Sequence, residues 1–286
     1  MQITVVGAAN IDILTKSKAK VMQGDSNPSD VRLSAGGVGR NIASMLAKHG
    51  ADVRLITAVG SDPLGALLKD SCDELRINTD SWIIKENIST GVYLATLEND
   101  GELYAAFNAM NVTESISKSE ITKHKACIRD AELLVLDLNL TEKILAHCLE
   151  LRETGPVMVD VVSAQKVHRI AGMLDRVDIL KLNRLEAEKL TGISLGTKER
   201  VEQAGYSLVN SGVGRVFITL GMAGVCACED KNAIFVPALP VAVKDVTGAG
   251  DAFAAGVALS LNKDLRKQAE QGIAFAAEHL RQLPKS

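Results

Sequence analysis

Short apolar runs rich in β-branched residues alternate with helix-length stretches from about residue 130 onward. That alternation admits few folds: it predicts parallel strands joined by right-handed helical crossovers, with the sheet covered on both faces. Leu133 to Leu136, Val157 to Asp160, Ile179 to Lys181 and Val216 to Thr219 read as strands, and Glu142 to Arg152, Arg184 to Thr191 and Lys198 to Ser211 as the helices between them. Several strands run out on a polar residue, namely Asp137, Asp160, Asn183 and Thr219. Ligands of open α/β sheets bind outside the carboxyl ends of the strands, so these four are expected to converge on one cleft. Each taken alone is weak evidence, since a polar residue after a strand is more often a turn or an N-cap.

The first third is organised differently. Ile3 to Gly7 and Val53 to Ala58 read as strands and Val38 to His49 as a helix, but a polar stretch, Thr15 to Asp30, intervenes. A second excursion, Gly91 to Phe107, alternates on either side of Asp100-Gly101, a strong tight-turn signal. A hairpin inside an α/β pattern needs somewhere to go. We expect one domain over residues 1–286: a three-layer α/β/α unit with a mainly parallel central sheet, and a small β-sheet lid drawn from about 13–35 and 88–110.

The chain has 286 residues, 47% of them hydrophobic and 23% charged, which excludes a disordered polymer. Lys plus Arg number 32 against 35 Asp plus Glu, a net charge of -3, so the basic excess of nonspecific nucleic-acid binding is missing. Aromatics at 3% leave little for base-stacking platforms, and no nucleic-acid partner is expected. Five cysteines, an odd number spread along the chain, do not make a disulfide framework; Cys226 and Cys228 share one strand face as core thiols. The apolar start is broken by Asn10 and Asp12, and no run approaches a membrane span. The expected location is cytoplasmic, with no membrane partner.

The chemistry is concentrated at Val246-Thr247-Gly248-Ala249-Gly250-Asp251, which runs directly into a helical pattern. Two glycines before a helix let backbone N–H groups turn toward one point, where the helix dipole makes an anion site. A carboxylate beside that site, Asp251, is placed to take a proton from an attacking hydroxyl. By itself this is also an ordinary glycine turn with an acidic first-turn residue. Its companions shift the balance. Gly36-Gly37-Val38-Gly39-Arg40-Asn41 permits close approach of a ligand to the backbone, with Asn41 one turn into a helix. Asn10 and Asp12, two apart, point to one side of an extended segment and suit a pair of ribose hydroxyls. Asn183 and Glu186 lie on one helix face and can hold the water shell of a magnesium ion. Thr219-Leu220-Gly221 opens from a strand end into a glycine turn.

These motifs, in this order over nearly the whole chain, resemble the ribokinase-like, or PfkB-type, carbohydrate and nucleoside kinases. Ala9 to Asp12, Asp25 to Pro28, Gly36 to Ala43, Met110-Asn111, Ser163-Ala164 and the stretch from Leu182 to Glu188 are most similar to the family's pseudouridine kinase subgroup. The resemblance implies transfer of phosphate from ATP, with magnesium, to the 5'-hydroxyl of the nucleoside. It implies Asp251 as general base and the amides of Gly248, Ala249 and Gly250 as anion hole. It places Asn10, Asp12, Gly36, Gly37, Asn41 and Asn139 at the substrate, and Asn183, Glu186, Thr219, Gly221 and Thr247 at the nucleotide. Glu186 would reach magnesium through water, and Asp245 sits where relatives often bind potassium. Asn27, Asn108 and Asn111 are candidates for reading the base, with turn chemistry an equal account of each. The lid would cover the ribose, exclude water and offer strands to a homodimer. The family often continues past the helix Asp264 to Leu280, in a stretch that packs near adenine.

Other readings remain. Another nucleoside or sugar kinase of the family, acting on uridine, inosine, ribose or a fructose phosphate, fits the same motifs. A non-catalytic nucleoside sensor would have no use for a base beside an anion hole. Arg40 reads better as an exposed helix cation than as a phosphate contact, and the five histidines share no spacing that suggests catalysis. Val161 stands where relatives commonly have proline, which leaves the Asp160 carboxylate available.

Overall fold

A computed structural model of the chain describes residues 1–242 and 246–282. Among them the strands are β1 (Gln2–Val6), β2 (Asn10–Ser17), β3 (Ser29–Gly36), β4 (Asp52–Ile56), β5 (Ala58–Gly60), β6 (Ile83–Lys85), β7 (Gly91–Leu97), β8 (Leu103–Ala109), β9 (Leu133–Asp137), β10 (Val157–Asp160), β11 (Ile179–Asn183), β12 (Arg215–Thr219), β13 (Val225–Glu229) and β14 (Asn232–Val236). The helices are α1 (Val38–Lys48), α2 (Pro63–Asp73), α3 (Asn111–Glu114), α4 (Lys118–Thr122), α5 (Lys125–Asp130), α6 (Glu142–Leu151), α7 (Arg184–Thr191), α8 (Lys198–Asn210), α9 (Ala249–Ala258) and α10 (Leu265–Gln282).

One sheet has the order β14-β13-β12-β11-β10-β9-β1-β4. Its strands from β4 to β12 are parallel, and the β13–β14 hairpin adds an antiparallel edge. Alternate residues of each strand feed two apolar layers. Leu134 and Leu136 of β9 pack with Ile144 of α6 and Val201 of α8, while Leu133 and Val135 pack with Ile42 of α1 and Phe253 of α9. Burial on both faces is why these strands read as unbroken apolar runs. Cys226 and Cys228 are buried on one face of β13 with their sulfurs 3.7 Å apart. Among the described residues no helix is long and apolar enough to cross a membrane.

The chain leaves β1 for β4 on one side and later returns to build outward from β9 on the other. That reversal opens a crevice beyond the carboxyl ends of β1 and β9, the place where open α/β sheets bind ligands. Beside it stands a second sheet, β3-β2-β7-β8. Its first arm is longer than the sequence suggests: β2 begins at Asn10 and pairs with β3 from Asn10↔Gly36 to Ser17↔Ser29. Only the two ends of the polar stretch are strand, residues 15–17 and 29–30, and β2 finds hydrogen-bond partners on both edges. The run from Val53 to Ala58 is also not one strand. It breaks at Thr57, whose carbonyl accepts the Ile83 N–H at 2.8 Å, and β5 pairs with β6 in a separate ribbon. Asp62 caps α2 through Gly65 N–H at 2.8 Å and also binds Thr90 N–H at 2.7 Å, so one carboxylate fixes the root of the second arm.

Immediately after β10 the backbone of Val162 sits at φ 66°, left-handed. That region costs an L-residue about 1–2 kcal/mol, and a β-branched side chain suits it least. Val162→Asn is expected to stabilise the fold by about 1 kcal/mol and raise Tm by about 2 °C. A lower Tm in calorimetry would mean that the packing of Val162 outweighs its backbone strain.

Candidate active site

The crevice is built around a buried carboxylate. Asp137, at the end of β9, accepts the N–H of Ala8 at 2.9 Å and of Gly39 at 2.7 Å through Oδ2, and of Asn139 at 2.8 Å through Oδ1. It therefore joins the exit of β1, the start of α1 and its own loop. Burial raises its pKa, and the backbone donors oppose that rise. Gly7 and Gly39 leave it room: a β-carbon would stand 2.4 Å from Oδ2 at Gly7 and 3.0 Å at Gly39.

On β2, Asn10 donates to Asp12 Oδ1 at 2.6 Å, so the two side chains share a face. Burial raises the Asp12 pKa, and Asn10 and Arg40 pull it back. The other carboxylate oxygen occupies the space a β-carbon at Gly36 would need, 2.2 Å away. At Gly37, φ is 93° and a β-carbon would meet the Ala8 carbonyl at 2.5 Å, so this turn requires glycine for conformation and for contact. Ser34, Asp12, Tyr93 and Asn108 form one row across the four strands. Met110 lies close to Gly91, and Asn111 opens α3 directly after it.

From the opposite side, α9 is capped by Gly248 at φ 76°, placing the amides of Gly250 and Asp251 among those without an intrahelical acceptor. The Ala249 amide, expected in the anion hole, instead closes the turn onto the Val246 carbonyl at 3.2 Å. Asp251 is half-buried, yet its carboxylate is hemmed in by protein. Desolvation, then the nearby Asp160 charge, pushes its pKa up to about 7, against Lys181 and Asn41. Asn41 Nδ2 donates to Asp251 Oδ2 at 2.9 Å. Sequence reading gave that amide to a sugar hydroxyl; the fold gives one of its protons to the acid.

Asn183 and Glu186 form a reciprocal cap on α7. Asn183 accepts the Glu186 N–H at 3.0 Å, while Glu186 receives the Asn183 N–H at 2.7 Å and its amide at 2.6 Å. Asn183 is thus spent on the helix, and Glu186 is buried, its pKa raised by desolvation and lowered by Lys181. Thr219 lies beside Asn183 in register, and Gly221 follows with φ 61°. Asn27 binds Met22 N–H, Met22 O and Asp25 O, all within its own turn, so turn chemistry accounts for it. Asp245 lies outside the described residues.

Four residues emerge to which sequence reading gave no part in the site. Lys181 is buried with its ammonium 2.9 Å from Asp160 Oδ2, so the Asp160 carboxylate is engaged, not free; its Oδ1 accepts the Val162 N–H. Arg40 is half-buried, donating to the Ala35 carbonyl at 3.0 Å, and is not an exposed cation. His279, on α10, hydrogen-bonds the Thr247 carbonyl at 3.0 Å, and its ring fills the side of Gly248 where a β-carbon would go. Lys166 binds Asn139 Oδ1, and burial lowers its pKa. Only the Lys181 strand end carried a sequence signal, a lysine in an otherwise apolar buried run.

The geometry agrees with what the chain is similar to. The model of the pfkB family of carbohydrate kinases matches residues 1–283. Pseudouridine kinase of Escherichia coli is 36% identical over 257 residues, 90% of this chain and 82% of that protein. Guanosine-inosine kinase of Exiguobacterium acetylicum is 26% identical, over 97% and 93% of the two chains. The crystal structure of ribokinase from Thermotoga maritima superposes with a TM-score of 0.85 at 26% identity, covering 99% of this chain and 94% of that one. The expected ribokinase-like α/β architecture is thus met, and the chain belongs to the PfkB family of carbohydrate kinases, phosphotransferases whose acceptor is a hydroxyl group.

Proposed function

We propose that this kinase transfers the γ-phosphoryl group of ATP to the 5'-hydroxyl of pseudouridine. The observation that carries the phosphoryl-transfer reading is Asp251: a carboxylate at a helix N-terminus, hydrogen-bonded by Asn41, with a pKa of about 7. A base of that affinity accepts the hydroxyl proton as the oxygen attacks, while N–H groups at the start of α9 receive charge on the phosphoryl oxygens. Asn10 and Asp12 hold the ribose hydroxyls. Tyr93 and Asn108 continue their row toward the base, and Lys166 with Asn139 offers donors to a uracil carbonyl. The small sheet acts as a lid that excludes water, whose attack on ATP is the competing reaction.

Magnesium would neutralise charge on the ATP phosphates. Among the described residues no cluster of three or more His, Cys, Asp or Glu forms a cage for a metal ion. That fits an ion bound mainly by phosphates and water, with Glu186 contacting it through water by the lone pairs left free by its cap. Five free thiols, four of them buried, suit the cytoplasm.

The similarity to pseudouridine kinase over most of both chains favours that substrate. The likeness to a guanosine-inosine kinase keeps a purine nucleoside as the second reading. A panel of pseudouridine, uridine, inosine, guanosine, adenosine, ribose and fructose phosphates with magnesium-ATP decides. Pseudouridine should give the highest kcat/KM; a poor rank for it would end the subgroup assignment and leave the kinase assignment standing.

We also infer that the lid pairs with a second copy. On the face opposite Asp12, Leu33, Ile13, Leu94 and Phe107 are in register as an apolar row across all four strands. Leu33 is 49% and Phe107 63% exposed, an apolar surface of the kind that marks an interface. Leu33→Asp with Phe107→Asp is expected to convert a dimer to a monomer in sedimentation. A parent protein that is already monomeric would overturn the pairing.

A further inference from the structure

At the carboxyl ends of three adjacent strands, Asp137, Asp160 and Lys181 stand side by side in register. Asp137 is satisfied by three backbone N–H groups. Asp160 is 1% exposed, and its charge is met by Lys181. The ammonium in turn lies directly against the phosphate-binding turn, since a β-carbon at Gly250 would be 3.0 Å from Lys181 Nζ. We propose that Lys181 is a positioning residue of the transfer centre: pinned by Asp160 beneath the Gly250 backbone, its fixed charge favours the ionised form of Asp251 and adds to the positive potential of the turn. The proposal rests on the phosphoryl-transfer reading of the same site.

The charges around the base give this role its effect. Asp251 on α9 is hydrogen-bonded by Asn41 from α1, and the charges of Asp160 on β10, Lys181 on β11 and Asp137 on β9 act on it. On α10, His279 reaches Thr247 instead. Two carboxylates therefore press on Asp251, and Lys181 supplies the opposing full charge. Burial alone would discharge the lysine, but Asp160, Glu186 of α7 and Asp251 hold it above the usual lysine range. With its side chain 7% exposed, the ammonium is covered, so it acts through the carboxylate and the turn. A permanent charge inside protein is worth more than the same charge in water, because little solvent screens it.

The test compares the parent with Lys181→Met and Asp160→Asn. Aspartate carboxyl carbons are titrated by NMR without substrate, the Asp251 signal being identified by its loss in Asp251→Asn. Lys181→Met should move the Asp251 midpoint up by about 1 pH unit or more, and Asp160→Asn should move it down. The acid limb of kcat/KM should follow each shift. A lysine that merely fills space would lower activity evenly across pH and leave the midpoint in place, and that result in a folded Lys181→Met protein overturns the proposal. Should Lys181→Met fail to fold, comparing Asp160→Asn with Asp160→Asn/Lys181→Met carries the same test, because the buried pair is then removed together. The double variant must titrate at higher pH than the single. The NMR titration needs no turnover, so a parent that phosphorylates no nucleoside would refute the functional reading without deciding the electrostatic one.

Discussion

Asp251→Asn is expected to lower kcat by about 10²- to 10⁴-fold, the range that a positioned general base contributes. Asparagine keeps the shape and can still pair with Asn41, but it cannot accept the hydroxyl proton. Nucleoside affinity should be largely retained, because the ribose contacts assigned to Asn10 and Asp12 are untouched. Single-turnover kinetics with calorimetric binding separates the two effects. In the parent, a base with a pKa of about 7 is half protonated near pH 7, so activity should rise with pH through that value and level off above it. Strong residual phosphorylation by Asp251→Asn would remove the base assignment, and a profile flat from pH 6 to 8 would contradict the environment described for it.

The second large effect concerns stability. Asp137→Asn is expected to cost about 2–4 kcal/mol and to lower Tm by about 4–8 °C. In the folded protein Oδ2 accepts two N–H groups, from Ala8 and Gly39, and Oδ1 accepts a third from Asn139. An amide has one acceptor oxygen, and its N–H₂ would face a backbone donor in a fully buried site. Because Gly39 lies in the first turn of the helix that carries Asn41, the loosened start of α1 should also weaken the Asn41–Asp251 contact and reduce kcat. Thermal unfolding followed by circular dichroism measures the first effect. A Tm within about 2 °C of the parent would show that the strand exit and the helix start hold together without the charge.

Much of the fold was legible because its physics is local. β9 to β12 announce themselves as apolar runs of strand length, and Asp100-Gly101 marks the hairpin between β7 and β8. The first arm of the small sheet was underread, since a strand with Asp12, Thr15 and Lys16 has no apolar continuity and is held by neighbours on both edges. The split after Ile56 was invisible for the opposite reason: an apolar run continues through a point where the hydrogen-bond partner changes.

The sequence by itself determined the α/β class, the glycine turn before α9 with an acid in its first turn, and the polar residues at the strand ends. These depend on composition, periodicity and backbone freedom over a few residues. Only the tertiary structure decided what those groups do to one another. Asn41 meets Asp251 across 210 positions of sequence, Lys181 comes to lie beneath Gly250, and Asn183 turns out to be spent on its own helix cap. Charge interactions and hydrogen bonds depend on distance and burial, and a linear pattern carries neither between residues far apart in the chain. The acid is therefore readable from its motif, whereas its proton affinity is a property of the crevice that closes around it.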